Sequence, residues 1–358
     1  MHLNPNFFIL GSPPHIVVWD YEAHKQFELD AEHASRLIEL ICDPEKLDRI
    51  NNVDKLFIEN GLFIDAEVES REWGWDVLSK IFHVGTKNIP QEHRPKDVNE
   101  WAKAYYEHCR DISLKPKIEN PLKITGFASI KLPSPYEYEL PVSELKRVLL
   151  GRKTCRSFSL KSVRLELLST ILYFSFGYLA ERVADDYVST ECSKRRSSPS
   201  GGGLNACEVY VYVHAVQGID AGVYHYDASE HSLSYIGPMM GCLGDYLGGQ
   251  HFANDLPFGA FLMSRFDKMW WKYEHSRAYR VSLFDVGHLS QTFQLVSTAC
   301  GLGTWLTAAF SEEKLEKVLG VDGWQEQPLM FVGAGYSDGA VLCDQLLKLL
   351  DGGQNEVL

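Results

Sequence analysis

The chain has 358 residues, of which 45% are hydrophobic and 23% charged, values typical of a well-packed globular protein with room for two domains. Its net charge is −13, which argues against nucleic acid as the main partner, because phosphate binding requires a basic surface. The apolar runs stay well short of the roughly 20 residues that span a bilayer, so we expect no membrane segment.

The N-terminal residues and the cysteines indicate a reducing compartment. The opening sequence MHLNPNFFILGSPPH lacks the basic stretch and apolar core that mark a signal peptide. The eight cysteines include no C-x-x-C pair, and no Cys/His cluster has the spacing of a zinc site. We therefore expect a cytoplasmic protein without a metal site.

Residues 7–66 have the pattern of a separate module, within an expected first domain of residues 1–70. The β-prone runs are 7–10, 16–20 and 25–29. Asp30 is placed to begin a helix, and a second helical pattern at 53–60 ends at Gly61. Strands followed by helices resemble the winged-helix modules that bind leader peptides beside peptide-modifying enzymes. A structural N-terminal cap is the alternative.

The rest of the chain divides into a connecting region, 71–135, and a larger domain, 136–358. The connecting region is helical and aromatic-rich to about residue 112, and a Pro-punctuated segment at 116–141 suits an extended linker. The larger domain alternates helices with strands, and a long helix is expected at 281–300. Its expected strands are 207–213, 222–226, 232–236, 256–263, 305–310 and 329–332. This order predicts an α+β fold with a mostly antiparallel sheet flanked by helices.

A basic turn follows the helix expected at 143–150. Arg152, Lys153 and Arg156 are three cations within five residues, and Thr154 adds a hydroxyl. Arginine binds phosphate through two donors at once, so this turn could hold an anionic group. A solvated basic turn is the simpler explanation.

A glycine-rich turn, Pro199-Ser200-Gly201-Gly202-Gly203, precedes the strand at 207–213. Consecutive glycines allow the backbone to approach a ligand, and their amides can face an anion or a flat heterocycle. The turn lacks the spacing of a Rossmann fingerprint or a P-loop. A flexible loop explains the glycines equally well.

Two further segments could carry chemistry. Lys272 and Tyr273 are adjacent groups that burial and mutual charge could bring to a pKa useful for proton abstraction, although a polar helix end is the simpler explanation. After the long helix, Gly301-Leu302-Gly303 leads to Ala308 and Ala309, where small residues could leave an amide open to a cofactor. A tight helix-to-strand turn explains the same glycines.

The order and spacing of these motifs over residues 143–335 resemble the SagB/ThcOx-type branch of the nitroreductase superfamily. The sequence Gly222-Val223-Tyr224-His225-Tyr226-Asp227 matches a G-x-Y-H-Y-D/N hairpin that recurs in that branch. The resemblance implies a nitroreductase-like fold that binds FMN at the interface of a homodimer.

The resemblance also implies a role for each motif. Arg152, Lys153, Thr154 and Arg156 correspond to the segment that grips the FMN phosphate and ribityl chain. Pro199, Ser200, Gly201 and Gly202 correspond to the turn beside the flavin ring. Ala308 and Ala309 lie where an amide approaches the flavin N5. Lys272 and Tyr273 correspond to the pair assigned to catalysis in azoline oxidation.

Two departures from the family pattern bear on the substrate and the phosphate. Leu204-Asn205-Ala206-Cys207 stands where Leu-Tyr-Pro or His-Pro is frequent, so the pocket shape could differ. Residues 351–358 include no basic residue, so phosphate binding would depend more heavily on the Arg152 turn.

The expected function is FMN-dependent oxidation of peptide thiazolines or oxazolines to azoles in the biosynthesis of a modified-peptide natural product. Residues 7–66 would hold the leader of the precursor peptide, and a cyclodehydratase is an expected partner. One alternative is a small-molecule FMN reductase or oxidase acting on quinones or nitro compounds. A second is a flavin-free scaffold within a peptide-modifying complex.

Overall fold

A computed structural model describes residues 1–65, 72–90, 94–114, 143–182 and 194–352. The chain divides into two compact units, each built from two stretches of sequence. The first unit contains residues 1–92 and 266–280, and the second contains residues 93–265 and 281–358. The expected Pro-rich linker at 116–141 lies outside the described residues.

The N-terminal part of the first unit contains the expected strands and helices. Its elements are β1 (His2–Leu3), β2 (Phe7–Ser12), β3 (His15–Asp20), β4 (Lys25–Leu29), α1 (Ala31–Cys42), α2 (Asn52–Glu59), β5 (Phe63–Ile64) and α3 (Val77–Gly85). Strands β2, β3 and β4 form an antiparallel sheet in that order. The Asp30 carboxylate accepts the His33 N–H at 2.9 Å and so begins α1, as predicted. The winged-helix interpretation and its boundary at residue 70 stay predictions.

From residue 94 onward the described elements alternate as expected. They are α4 (Val98–Ser113), α5 (Ser143–Gly151), β6 (Val163–Arg164), α6 (Leu165–Phe176), β7 (Cys207–Val213), β8 (Val216–Gln217), β9 (Gly222–Asp227), β10 (Ser232–Gly237), β11 (Phe258–Arg265), α7 (Phe266–Lys272), α8 (Arg277–Ala299), β12 (Gly303–Thr307), α9 (Glu312–Leu319), β13 (Glu326–Gly335) and α10 (Asp344–Gly352). Helix α7 and the first turn of α8 belong to the first unit.

The second unit is built around a six-stranded sheet with the order β10-β9-β7-β11-β13-β12. Every neighbouring pair in it is antiparallel, which confirms the predicted α+β fold. The alternation in β7 separates two cores: Val209 and Val211 pack in one, and Tyr210 and Tyr212 in the other. Because both faces of this strand are buried, its sequence is hydrophobic on both sides of the alternation.

The predicted strand at 305–310 is wrong for residues 308–310. Strand β12 ends at Thr307, whose Oγ1 accepts the N–H of Ala309 at 3.0 Å. This local turn takes the backbone amide of Ala309 away from sheet pairing. No helix in the described ranges is long and apolar enough to cross a membrane.

Candidate functional site

The basic turn and the Gly-Leu-Gly turn lie side by side in the second unit. The N–H of Cys155 donates to the carbonyl of Thr304 at 2.9 Å, and Thr154 pairs with Thr304 in a parallel bridge. Gly303 makes this approach possible, because a Cβ there would lie 2.7 Å from Ser337 Cβ and 3.0 Å from Cys155 Sγ. The Arg152 turn is therefore fixed against the start of β12.

The two arginines of the basic turn form their printed hydrogen bonds with neutral groups. Arg152 Nη1 donates to Gln294 Oε1 at 3.4 Å, and Arg156 Nη1 donates to the Val341 carbonyl at 3.0 Å. Lys153 is exposed, and the two arginines are half-buried. Within the described ranges, none of these side chains forms an ion pair with a carboxylate. In a chain of net charge −13, such a group of donors suits a phosphate.

The glycine-rich turn is held by a buried carboxylate on α8. Asp285 Oδ2 accepts the Ser200 hydroxyl at 2.7 Å, and both of its oxygens accept the Gly201 N–H, at 3.0 and 3.1 Å. The Ser200 hydroxyl in turn accepts the N–H of Asn205 at 2.9 Å. Gly202 has a φ of 61°, in the left-handed region that glycine tolerates without strain.

These contacts bear on one of the two ligand types considered for the turn, an anion. An amide that already donates to a carboxylate cannot cradle an anion, so the Gly201 N–H does not serve a phosphate. The N–H of Gly203 is also used, donating to the Ser200 carbonyl at 3.0 Å. Ser200 and Gly201 are therefore bonded to Asp285 and fix the backbone of the turn, and the packing of this turn beside a flavin ring stays a prediction.

The sequence reasoning assigned no role to Asp285. Its side chain is buried, and burial raises its pKa, while the hydrogen bonds from Ser200 and Gly201 oppose that rise. A signal was present in the sequence, because Asp285 falls on the stripe of α8 that also buries Ser282 and Leu289. A carboxylate on a buried stripe needs donors, and here the glycine-rich turn supplies them.

Helix α8 joins the two turns. Gln294 contacts Arg152, and Thr292 Oγ1 lies 2.6 Å from the Ser198 hydroxyl, just before the glycine-rich turn. Asp285 lies further toward the start of the same helix. One helix therefore contacts the basic turn and the glycine-rich turn, so the three elements form a single site.

Ala308 and Ala309 follow directly after β12, and both are exposed. The Ala309 N–H is bonded to Thr307 Oγ1, which also accepts Gln250 Nε2 at 2.9 Å. Of the two predicted amides, only that of Ala308 has no acceptor among the described residues, and its approach to a cofactor stays a prediction.

Lys272 and Tyr273 belong to the first unit, with the N-terminal residues. Lys272 ends α7, and its Nζ lies 5.8 Å from the centroid of the Tyr273 ring. The Tyr273 carbonyl accepts the indole N–H of Trp75 at 2.8 Å. Lys272 is exposed and Tyr273 half-buried, so burial of the pair would have to come from a ligand or another chain. Their catalytic role stays a prediction.

The Lys272 segment rests on an aromatic cluster that sequence reasoning did not find. Gly74 packs so closely on Trp270 that a Cβ there would lie 2.4 Å from the indole. The other aromatic rings of the cluster are those of Trp73, Trp75, His83, Phe266 and Tyr279. Residues 72–90 therefore support the Lys272 segment, whereas the sequence pattern suggested only a connecting region.

Several known proteins are similar in sequence to this chain. The model of the nitroreductase family matches residues 149–336. The chain is 28% identical over 210 residues to the putative nitroreductase MJ1384 of Methanocaldococcus jannaschii, a match that covers 56% of this chain and 96% of that protein. It is 33% identical over 141 residues to the trifolitoxin-processing protein TfxB of Rhizobium leguminosarum bv. trifolii, covering 38% of each chain.

Among solved structures, a chain of the E. coli microcin synthetase McbBCD complex with truncated pro-MccB17 bound aligns with a TM-score of 0.47 at 22% identity. That alignment covers 65% of this chain and 82% of the other. The family model spans more than half of the sequence and contains the basic turn, the glycine-rich turn and β12. The chain therefore belongs to the nitroreductase family of oxidoreductases.

Proposed function

We propose that this protein is an FMN-dependent dehydrogenase that oxidises thiazolines or oxazolines in a peptide to azoles. The observation that carries the proposal is the group of three cations, unpaired with carboxylates in the described structure, fixed against β12 in an acidic chain. The similarity to TfxB, a toxin-processing protein, favours a peptide as the substrate. Family membership supplies the oxidoreductase class.

The residues of the second unit fit FMN. Arg152, Lys153 and Arg156 would hold the phosphate, and Thr154 would add a hydroxyl donor. The turn from Pro199 to Gly202, held in shape by Asp285, would pack beside the ring system. The Ala308 amide would face the ring edge.

Oxidation of an azoline removes two hydrogens from the ring and converts a C–C single bond into a double bond. When bound, FMN would supply the hydride acceptor for this oxidation, and dioxygen would be the terminal oxidant, taking up two electrons and two protons as hydrogen peroxide. The Cα proton passes to Tyr273 or Lys272. Because Lys272 is exposed in the chain alone, the bound peptide itself would exclude water from this pair.

The leader of the precursor peptide would bind to the N-terminal sheet. Strand β4 is an edge strand of the three-stranded sheet, so its outer backbone groups can pair with an added strand. A cavity of about 380 Å³ lies beside it. The apolar residues lining this cavity are Phe27, Leu29, Leu56, Phe57 and Leu62. Such a surface suits an extended peptide with apolar side chains on one face.

A homodimer is part of the proposal. Phe284 on α8 is 60% exposed, and Leu149 and Leu150 on α5 are 48% and 69% exposed. These helices flank the proposed flavin site, since α5 leads into the basic turn and α8 carries Asp285. Large apolar side chains so close to a functional site are typical of a subunit interface.

The proposal is tested with the purified full-length chain, a synthetic peptide that contains a thiazoline, and the cyclodehydratase partner where one is encoded nearby. Mass spectrometry would follow the loss of two hydrogens under air. Lys272→Ala should slow the reaction at least about 100-fold, as expected for loss of a general base. Lys268→Ala removes a lysine one turn earlier in α7 and should leave the rate close to that of the wild type.

Three outcomes separate the candidate functions. Azole formation that depends on Lys272 supports the dehydrogenase. A flavin-loaded protein that reduces quinones or nitro compounds with NAD(P)H, and leaves the azoline peptide unchanged, supports a small-molecule reductase. A flavin-free protein that assembles with its partner, whether or not Lys272 is replaced, supports a scaffold.

A further inference from the structure

Three potential metal ligands converge in the second unit, outside the residues proposed to hold FMN. Cys242 Sγ lies 3.1 Å from Asp245 Oδ2 and 3.5 Å from His251 Nδ1. The ligand atoms of all three side chains lie within 4.8 Å of one another. We propose that Cys242, Asp245 and His251 form a zinc-binding site.

Two of the three separations between ligand atoms are close to those of tetrahedral zinc. With Zn–S near 2.3 Å and Zn–N or Zn–O near 2.0 Å, the edges of the tetrahedron are roughly 3.5 Å long. The sulfur–nitrogen separation already has this length, and the sulfur–oxygen separation is shorter by only a few tenths of an ångström. A thiolate, an imidazole and a carboxylate are all donors that zinc accepts. Small side-chain rotations would complete the site.

The imidazole is held as in known metal sites. His251 is buried, and its Nε2 lies 3.0 Å from the carbonyl of Pro95, which fixes the ring with Nδ1 toward Cys242. Ligating histidines usually donate their second ring N–H to such an acceptor. Gly244 leaves the necessary space, because a Cβ there would lie 2.5 Å from His251 Nδ1.

The site is accessible from a cavity of about 360 Å³ whose lining includes Cys242 and His251. With three protein ligands, a fourth coordination position is left for water or another small ligand, as in zinc sites that exchange ligands. Cys343 lines the same cavity but lies outside the ligand cluster. The cluster escaped the sequence search because its C-x-x-D-x₅-H pattern mixes three donor types.

The experiment uses the metal-free full-length chain and titrates it with Co²⁺ as a spectroscopic probe, followed by competition with Zn²⁺. We expect one equivalent of Co²⁺ to give a thiolate-to-cobalt charge-transfer band, which Zn²⁺ abolishes. Cys242→Ser should remove the band and weaken binding at least about 100-fold, since loss of an outer-shell partner alone costs 10- to 100-fold. Cys343→Ser is the matched control in the same cavity, and it should keep the charge-transfer band and the wild-type affinity for Co²⁺.

Asp245→Asn provides a second test that leaves the thiol in place. It should weaken metal binding while circular dichroism shows a native fold, which covers the case in which Cys242→Ser fails to fold. The proposal is overturned if the wild type binds Co²⁺ no more tightly than Cys242→Ser or Asp245→Asn. It is also overturned if the charge-transfer band disappears in Cys343→Ser, or if added Zn²⁺ leaves the alkylation rate of Cys242 unchanged.

Discussion

Replacement of Asp285 by alanine tests whether the glycine-rich turn depends on a single carboxylate. The change removes the acceptor for the Ser200 hydroxyl and for the Gly201 N–H. A hydrogen bond to a charged group contributes about 1.5–3 kcal/mol, and part of this is offset because a buried charge is removed as well. We therefore expect Asp285→Ala to lower the free energy of unfolding by about 2–4 kcal/mol.

Asp227→Ala is the matched control for this prediction. The Asp227 carboxylate also accepts two N–H groups, from Ser229 and Glu230, but these lie within its own hairpin turn. Loss of this carboxylate should lower the free energy of unfolding by about 1 kcal/mol and leave the flavin site intact. Urea denaturation would measure stability, and the absorbance of released flavin would measure FMN retention. Equal stability of the two variants, or full flavin retention by Asp285→Ala, would refute the conclusion that Asp285 holds the glycine-rich turn in place.

Three further predictions concern single positions in the second unit. Gly303→Ala should lower the free energy of unfolding by about 1–3 kcal/mol and reduce flavin retention, because the added Cβ would lie 2.7 Å from Ser337 Cβ. An unchanged melting temperature would contradict this prediction. Gly287→Ala, in α8 with no atom within 4 Å of the new Cβ, should stabilise by about 0.5–1 kcal/mol in urea denaturation. The hydrogen bond to Glu208 raises the pKa of His225 above 6.5, so the pair stabilises the fold below about pH 6.5 and less as pH rises through the raised pKa. His225→Gln should therefore destabilise more at about pH 6 than at about pH 9, and a pH-independent difference would refute the assignment.

Local sequence patterns predicted most of the described fold correctly. Alternation placed β7, and the N-cap at Asp30 placed the start of α1, because both depend on neighbours within a few residues. The end of β12 was wrong, since one hydroxyl, that of Thr307, decides where the chain leaves the sheet.

Contacts between residues distant in sequence could not be predicted. The bond between Ser200 and Asp285 joins positions 85 residues apart, and that between Trp75 and Tyr273 joins positions 198 apart. Periodicity carries no information on such pairs. The sequence therefore predicted neither the hydrogen bonds from the glycine-rich turn to Asp285 nor the packing of residues 72–90 against the Lys272 segment. The family resemblance identified the basic turn, whereas only the structure revealed that its cations lack carboxylate partners in the described ranges.

The central claim is that the basic turn holds FMN, and an absorption spectrum of the purified protein tests it most directly. We expect a yellow protein that releases FMN on heating, and a largely colourless Arg152→Ala/Arg156→Ala variant that still folds. Arg147→Ala, on the exposed surface of α5, should retain the flavin as the matched control. A wild-type protein that is colourless and takes up no added FMN would contradict the account, as would full flavin retention by the double variant.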